Sequence, residues 1–129
     1  MLHPNQFQVD DAWIAFQLND DPICTVQDGE FNCLCLMDAA SCFILSTAFV
    51  GTSEPGSSEL EIRRLFKAAF AQKKMLPARL FLPTSGFENA LRAEAKRQRI
   101  SVVSAKEAEL RAFTSEARQG FRQHLQLRR

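Results

Sequence analysis

Four cysteines, Cys24, Cys33, Cys35 and Cys42, are the residues best able by type to hold a soft metal or act as a nucleophile. Their spacings are nine, two and seven, with no C-x-x-C pair, and neither His3 nor His124 lies near them. Zinc sites are usually built from two close chelating pairs, so no metal is expected. Cys33 and Cys35, two apart on a strand, face one side and behave as small hydrophobes. Covalent hydrolysis needs Ser or Cys beside a base, yet the two histidines stand at opposite ends of the chain and no G-x-S-x-G elbow occurs. Gly51-Thr52-Ser53-Glu54-Pro55-Gly56 matches neither a phosphate loop nor a dinucleotide fingerprint. Catalytic residues, cofactor-binding residues and metal ligands are each expected to be none, and no cofactor is expected.

Charge is the second source of chemistry. Residues 1–62 hold ten carboxylates and no Lys or Arg, whereas residues 63–129 hold all sixteen Lys and Arg against five carboxylates. Such asymmetry marks either a nucleic-acid or membrane face or a domain that neutralises itself internally. Arg92, Lys96, Arg97 and Arg99 form the densest basic run, and Arg111, Arg118 and Arg122 recur near one face of a helix. Against nucleic acid stand a net charge of +1 and the lack of aromatics interleaved with the cations. Eleven Phe beside one Trp and no Tyr give a core-type aromatic content, poor in the residues of interface hot spots.

The elements that would position these groups follow from periodicity. Ser58-Glu59-Leu60-Glu61, Ser85-Gly86-Phe87-Glu88 and Ser104-Ala105-Lys106-Glu107 each have the form of a capping box. They predict helices over 58–74, 86–98 and 105–126. The apolar stripes are Ile62, Leu65, Phe66, Ala69 and Phe70, then Phe87, Ala90, Leu91 and Ala95, then Leu110, Phe113, Ala117, Phe121 and Leu125. Gly120 interrupts the third stripe as a kink or a close contact. The short runs at 79–82 and 100–103 read as strands. Residues 31–37 and 42–50 form a hairpin about Asp38-Ala39-Ala40-Ser41, after a first strand near Trp13–Leu18. A further short strand fits between the turns at Asp20-Asp21-Pro22 and Gln27-Asp28-Gly29. Strands alternating with helices imply parallel pairing. The expectation is an α/β fold: a single domain over 1–129 with a five-strand mixed sheet, an antiparallel N-terminal hairpin plus parallel strands, and three main helices.

This order resembles the ribonuclease H-like core in its transposase and integrase form. The resemblance rests on Leu34-Cys35-Leu36-Met37-Asp38-Ala39-Ala40-Ser41-Cys42-Phe43-Ile44-Leu45, on Pro77-Ala78-Arg79-Leu80-Phe81-Leu82-Pro83-Thr84-Ser85-Gly86 and on Arg99-Ile100-Ser101-Val102. It implies an acidic cluster holding two divalent metals for phosphodiester cleavage. Asp38 would stand at the first position of that cluster. Thr84 and Ser85 stand where the second Asp would be, and Glu109 or Glu116 would supply the third. Neutral hydroxyls hold hard cations poorly, so the resemblance implies the fold with a degenerate, incomplete metal site.

Beyond the carboxyl ends of the strands, where ligands of open α/β sheets bind, the sequence gathers Asp38, Gly51–Ser58, Pro83–Ser85 and Ser104. A Glu in the first turn of each helix there opposes phosphate. The expected role is non-catalytic: a small interaction or regulatory domain whose partner is another protein or a second copy. The alternative is a nucleic-acid-binding relic of the transposase-like fold without nuclease activity. The N-terminus shows no basic-then-apolar leader, and Phe31–Val50 is too broken to span a bilayer. The expected location is therefore cytoplasmic, with no membrane partner.

Overall fold

Trp13-Ile14-Ala15-Phe16 is apolar at every position, as a strand covered on both faces should be. The computed structural model describes residues 2–9, 11–19, 22–25, 29–51, 55–83 and 88–127, without the side chains of 55–58, 88 and 125–127. Its elements are β1 (Ala12–Gln17), β2 (Ile23–Thr25), β3 (Gly29–Asp38), β4 (Ile44–Gly51), α1 (Pro55–Lys73), β5 (Arg79–Pro83), α2 (Glu88–Arg97), β6 (Ser101–Ala105) and α3 (Arg111–Leu127). Single 3-10 turns lie at Pro4–Gln6 and Glu107–Leu110.

The strands make one mixed sheet. β1 pairs antiparallel with β3, Trp13 opposite Asp38, and parallel with β5, Ile14 beside Phe81. β6 extends the parallel side, and β4 closes the other side antiparallel to β3. Across the sheet the order is β4-β3-β1-β5-β6. Among the described residues the sheet has six strands, not the expected five, because β2 pairs with the first residues of β3 on the edge that β1 occupies further along. Asn19 spans the step between β1 and β2. Its Oδ1 accepts the Cys33 N–H at 2.7 Å and its Nδ2 donates to Asn32 Oδ1 at 2.9 Å. A buried amide thus satisfies a ladder donor that the departing strand leaves behind.

Period-two alternation separates two cores. Trp13, Ala15, Leu34, Leu36, Leu80 and Leu82 meet Ile62, Leu65, Phe66 and Ala69 of α1 and Leu91 and Ala95 of α2. Ile14, Phe16, Cys33, Cys35, Met37 and Phe81 meet Leu110 and Phe113 on the opposite face. There the N-terminal segment adds Phe7, edge-on to Phe81 at 5.4 Å and to Phe113 at 6.0 Å. Phe70 leaves its predicted stripe and is exposed.

Two of the three capping boxes do not form. Ser58 is the fourth residue of α1, which starts at Pro55, a residue suited to a first turn. Ser104 is a strand residue, and its Oγ accepts from Arg92 Nη2 at 2.7 Å. The turn after β6 opens from Lys106 with no side-chain cap. Ser85 lies outside the described residues. The architecture stands without these caps because β-ladder pairing and core burial fix it: Arg79 pairs with Ser101 and Pro83 with Ala105. The end of α2 also supports that pairing. Arg99 takes a left-handed conformation (φ 60°), and the Ile100 N–H reaches back to Ala95 O at 2.9 Å.

Candidate functional site

Asp38 is fully buried at the end of β3, where its carboxylate closes the hairpin turn. Oδ2 accepts from the Ser41 N–H at 3.0 Å and from the Ser41 hydroxyl at 2.7 Å. β3 is antiparallel to β1, so Asp38 sits beside Trp13, at the amino end of the parallel strands. Pro83, which precedes Thr84, lies three residues along β5 from Leu80, the partner of Trp13. Three strand residues span about 10 Å. Asp38 and the carboxyl end of β5 are therefore at opposite margins of the sheet, and the sequence expectation that both gather at one margin is corrected. Thr84 and Ser85 themselves lie outside the described residues.

The carboxyl margin is formed by the ends of β1, β4, β5 and β6. Among its described ionic groups is Arg118 of α3. The guanidinium donates through Nε to Gln17 O at 2.9 Å, pairs with the Glu107 carboxylate and stacks 5.5 Å above the Phe16 ring. The sequence puts Arg118 near one basic face of the helix with Arg111 and Arg122; its guanidinium instead ties α3 to the last residue of β1. Glu109 and Glu116 lie on different elements, and Glu116 shares the surroundings of Cys42 with Asp38. Among the described residues, no group of three His, Cys, Asp or Glu side chains could hold a metal ion. α1 begins three residues before the predicted start, so Glu61 falls in its second turn and not in the first.

Beside Arg118 an apolar groove of about 400 Å³ opens between the sheet and the distal half of α3. Ile44, Thr47 and Phe49 of β4 form one wall, Ala117, Gly120 and Phe121 the other, and Cys33 and Leu18 the floor, with Glu116 at the rim. Phe113 is fully buried, while Ala117 and Phe121 are partly buried against the same core. A Cβ built on Gly120 meets nothing within 4 Å, so the glycine makes no close contact. It also does not interrupt the helix.

The cysteines are all free. Burial raises the Cys33 thiol from 9.0 to about 11. Burial, then the neighbouring Cys33, pushes Cys35 higher still. Cys42 is raised by burial first and then by Glu116 and Asp38. Such thiols are poor nucleophiles at neutral pH. Many cations are already engaged. Arg63 and Arg97 lie 3.8 Å and 3.4 Å from the buried Glu94, Arg64 lies 2.9 Å from Glu61, and Arg79 lies 2.8 Å from Asp11.

The sequence pointed to Asp38 and the basic runs but missed the groove. Its signal was present: from Ala39 to Ser53 the chain has no charged residue, and Phe43 and Phe49 are more than half exposed. No helix of the described residues is long and apolar enough to cross a membrane.

No protein-family model and no curated protein matches the sequence. Solved structures of similar chain path include the HTLV-2 integrase catalytic core domain, solved in complex with magnesium in a dimeric form. It is 8% identical over 84% of this chain and 82% of that one, with a TM-score of 0.48. A chain of the simian T-cell lymphotropic virus intasome, solved with PP2A regulatory subunit B56 gamma, is 12% identical over 84% of this chain, with a TM-score of 0.48. This chain spans 37% of that second one.

Proposed function

We propose that this chain is a non-catalytic interaction domain on a ribonuclease H-like frame. The observation that carries the reading is Arg118. Two-metal phosphodiester chemistry concentrates carboxylates where cations bind. At the carboxyl margin of this sheet a fixed guanidinium holds the backbone oxygen of Gln17 and the carboxylate of Glu107. A positive charge in that place repels a divalent cation and occupies the nearby Glu107 carboxylate, while Asp38 is committed to its turn on the far margin.

The test is a thermal-shift titration with Mg²⁺ and Mn²⁺, paired with a cleavage assay on single- and double-stranded DNA. A cation bound by the native state alone raises the melting temperature by mass action. No shift and no cleavage is the expected result. A saturable shift that Glu107→Gln or Glu116→Gln abolishes, or any metal-dependent cleavage, would overturn the reading.

One observation favours a second reading, nucleic-acid binding. Lys96, Arg97 and Arg99 cluster at the end of α2, with Lys96 and Arg97 in its last turn. Phosphate contacts of this kind weaken steeply with salt. Fluorescence polarisation with labelled DNA and RNA at low salt decides it, and anisotropy that stays flat up to micromolar protein removes this alternative.

A further inference from the structure

The two margins of the sheet are guarded very differently. β6 is five residues long, bracketed by Arg99 and Lys106 and overlaid by the Arg92–Ser104 bond. Short, charge-flanked strands are how proteins keep an open margin from pairing. β4 is eight residues long and carries neither a charge nor a proline. Among the described residues no strand pairs with its outer side.

The hydrogen-bond pattern shows what that outer side offers. Leu18 N–H donates to Cys33 O at 2.8 Å and Cys33 N–H donates to Asn19 Oδ1, so both backbone groups of Cys33 face β1. Antiparallel ladders alternate. Leu34 and Leu36 therefore face β4, their partners Ala48 and Ser46 face back, and Thr47 and Phe49 direct their backbone N–H and C=O outward. The bulge between Leu36 and Met37 lies before this stretch, leaving Ser46–Gly51 regular.

We infer that β4 is the self-association surface of this protein: a second copy pairs antiparallel with it about a two-fold axis at Ala48. In that register Thr47 exchanges backbone hydrogen bonds with Phe49 of the other copy, and the two sheets become one. Two arguments select a second copy as the occupant. Across a two-fold axis every charge near the axis meets its own like charge at short range, which disfavours pairing. A strand with no charge at all meets no such penalty. The second argument is shape. Thr47 and Phe49 point their side chains to the α3 face, so the incoming Phe49 ring arrives beside Thr47, at the wall of the apolar groove. Gly120 leaves open space on the opposite wall, at the cost of a helix-weakening residue that no contact within its own chain explains. The inference rests on the interaction-domain reading and names its partner.

Sedimentation velocity of the full chain over a concentration series tests it. The expected result is a reversible dimer that persists from low salt to about 1 M, where charge interactions are screened within about 3 Å. Thr47→Pro removes one outward N–H and leaves the ladder to β3 intact. Gly120→Leu fills the groove without altering the sequence of the strand. Each is expected to weaken dimerisation at least about tenfold, or about 1.4 kcal/mol, with an unchanged far-ultraviolet spectrum. A monomer at every concentration overturns the inference, as does a dimer indifferent to both substitutions. If either variant misfolds, amide exchange on the wild-type protein decides. Protection of the Thr47 and Phe49 amides that rises with concentration supports the pairing, and rapid exchange at all concentrations overturns it. The metal and cleavage assays do not depend on oligomeric state, so a monomer inert to metal would sink this inference and leave the interaction-domain reading standing.

Discussion

Asp38 illustrates how a carboxylate that looks catalytic in sequence can be consumed by a turn. It is fully buried and accepts both donors of Ser41, an arrangement that orders the first residues after β3. Asp38→Ala is expected to destabilise the protein by about 1–3 kcal/mol in urea titrations, since the turn loses two hydrogen bonds to a charged acceptor. Asp38→Asn keeps one acceptor oxygen and should cost less. An Asp38→Ala protein of unchanged stability would contradict the turn role. Cys33 gives a second prediction at this scale. Its thiol is held at about 11 in the fold against 9.0 without it, so the folded state keeps the proton longer. Between those values the native state binds more protons than the unfolded one, and stability falls as pH rises. The Cys33 contribution is whole below about pH 9 and is lost by about pH 11. Denaturation midpoints at pH 8 and pH 10.5 should therefore converge in Cys33→Ala relative to the parent protein.

At the scale of elements, α3 is held most firmly near its start. Leu110 and Phe113 anchor that end, Arg118 pins the helix to β1 through Gln17 O, and beyond that Phe121 packs only partly buried beside the groove. Gly120 lines that groove, where an added methyl group would enter open space. Gly120→Ala should stabilise the protein by about 1 kcal/mol, the helix-propensity difference between the two residues. Thermal unfolding at low protein concentration reads this directly, and a loss of stability would mean that the glycine serves the chain's own fold. α1 and α2 were legible from their stripes because amphipathic periodicity survives one-residue errors. Their ends were not. Ser-x-x-Glu spacing is satisfied as readily by a serine on a strand, such as Ser104, or inside a helix, such as Ser58, as by a true cap.

For the whole molecule, the sheet is the common wall of two cores, so neither layer is expected to unfold alone. Trp13 is 1% exposed on the middle strand and the sole tryptophan, which makes it a reporter of the α1 and α2 side. Its fluorescence and the far-ultraviolet circular dichroism should lose their native values at the same denaturant concentration, as two-state domains of this size do. Separated transitions would show that the chain behaves as more than one cooperative unit. The charge imbalance between the chain halves resolves only partly into contacts. Arg79 with Asp11 is a described ion pair that joins distant parts of the two halves, while Glu94 draws Arg63 and Arg97 from the basic half itself.

Short apolar runs near 13–18, 31–37, 42–50, 79–82 and 100–103, and a period near 3.6 in the helices, pointed to the element order and the mixed sheet before any coordinates. Those signals are local, because they are written into consecutive residues. The tertiary structure alone decided which ends of the strands share a margin. That removed Asp38 from the carboxyl margin and brought Arg118 to Gln17, a hundred and one residues apart. It also decided that β4 is an edge strand with no partner on its outer side among the described residues while β3 beside it is interior, although both read as apolar strands. Strand position is set by which ladders form, and a ladder is a property of two segments at once.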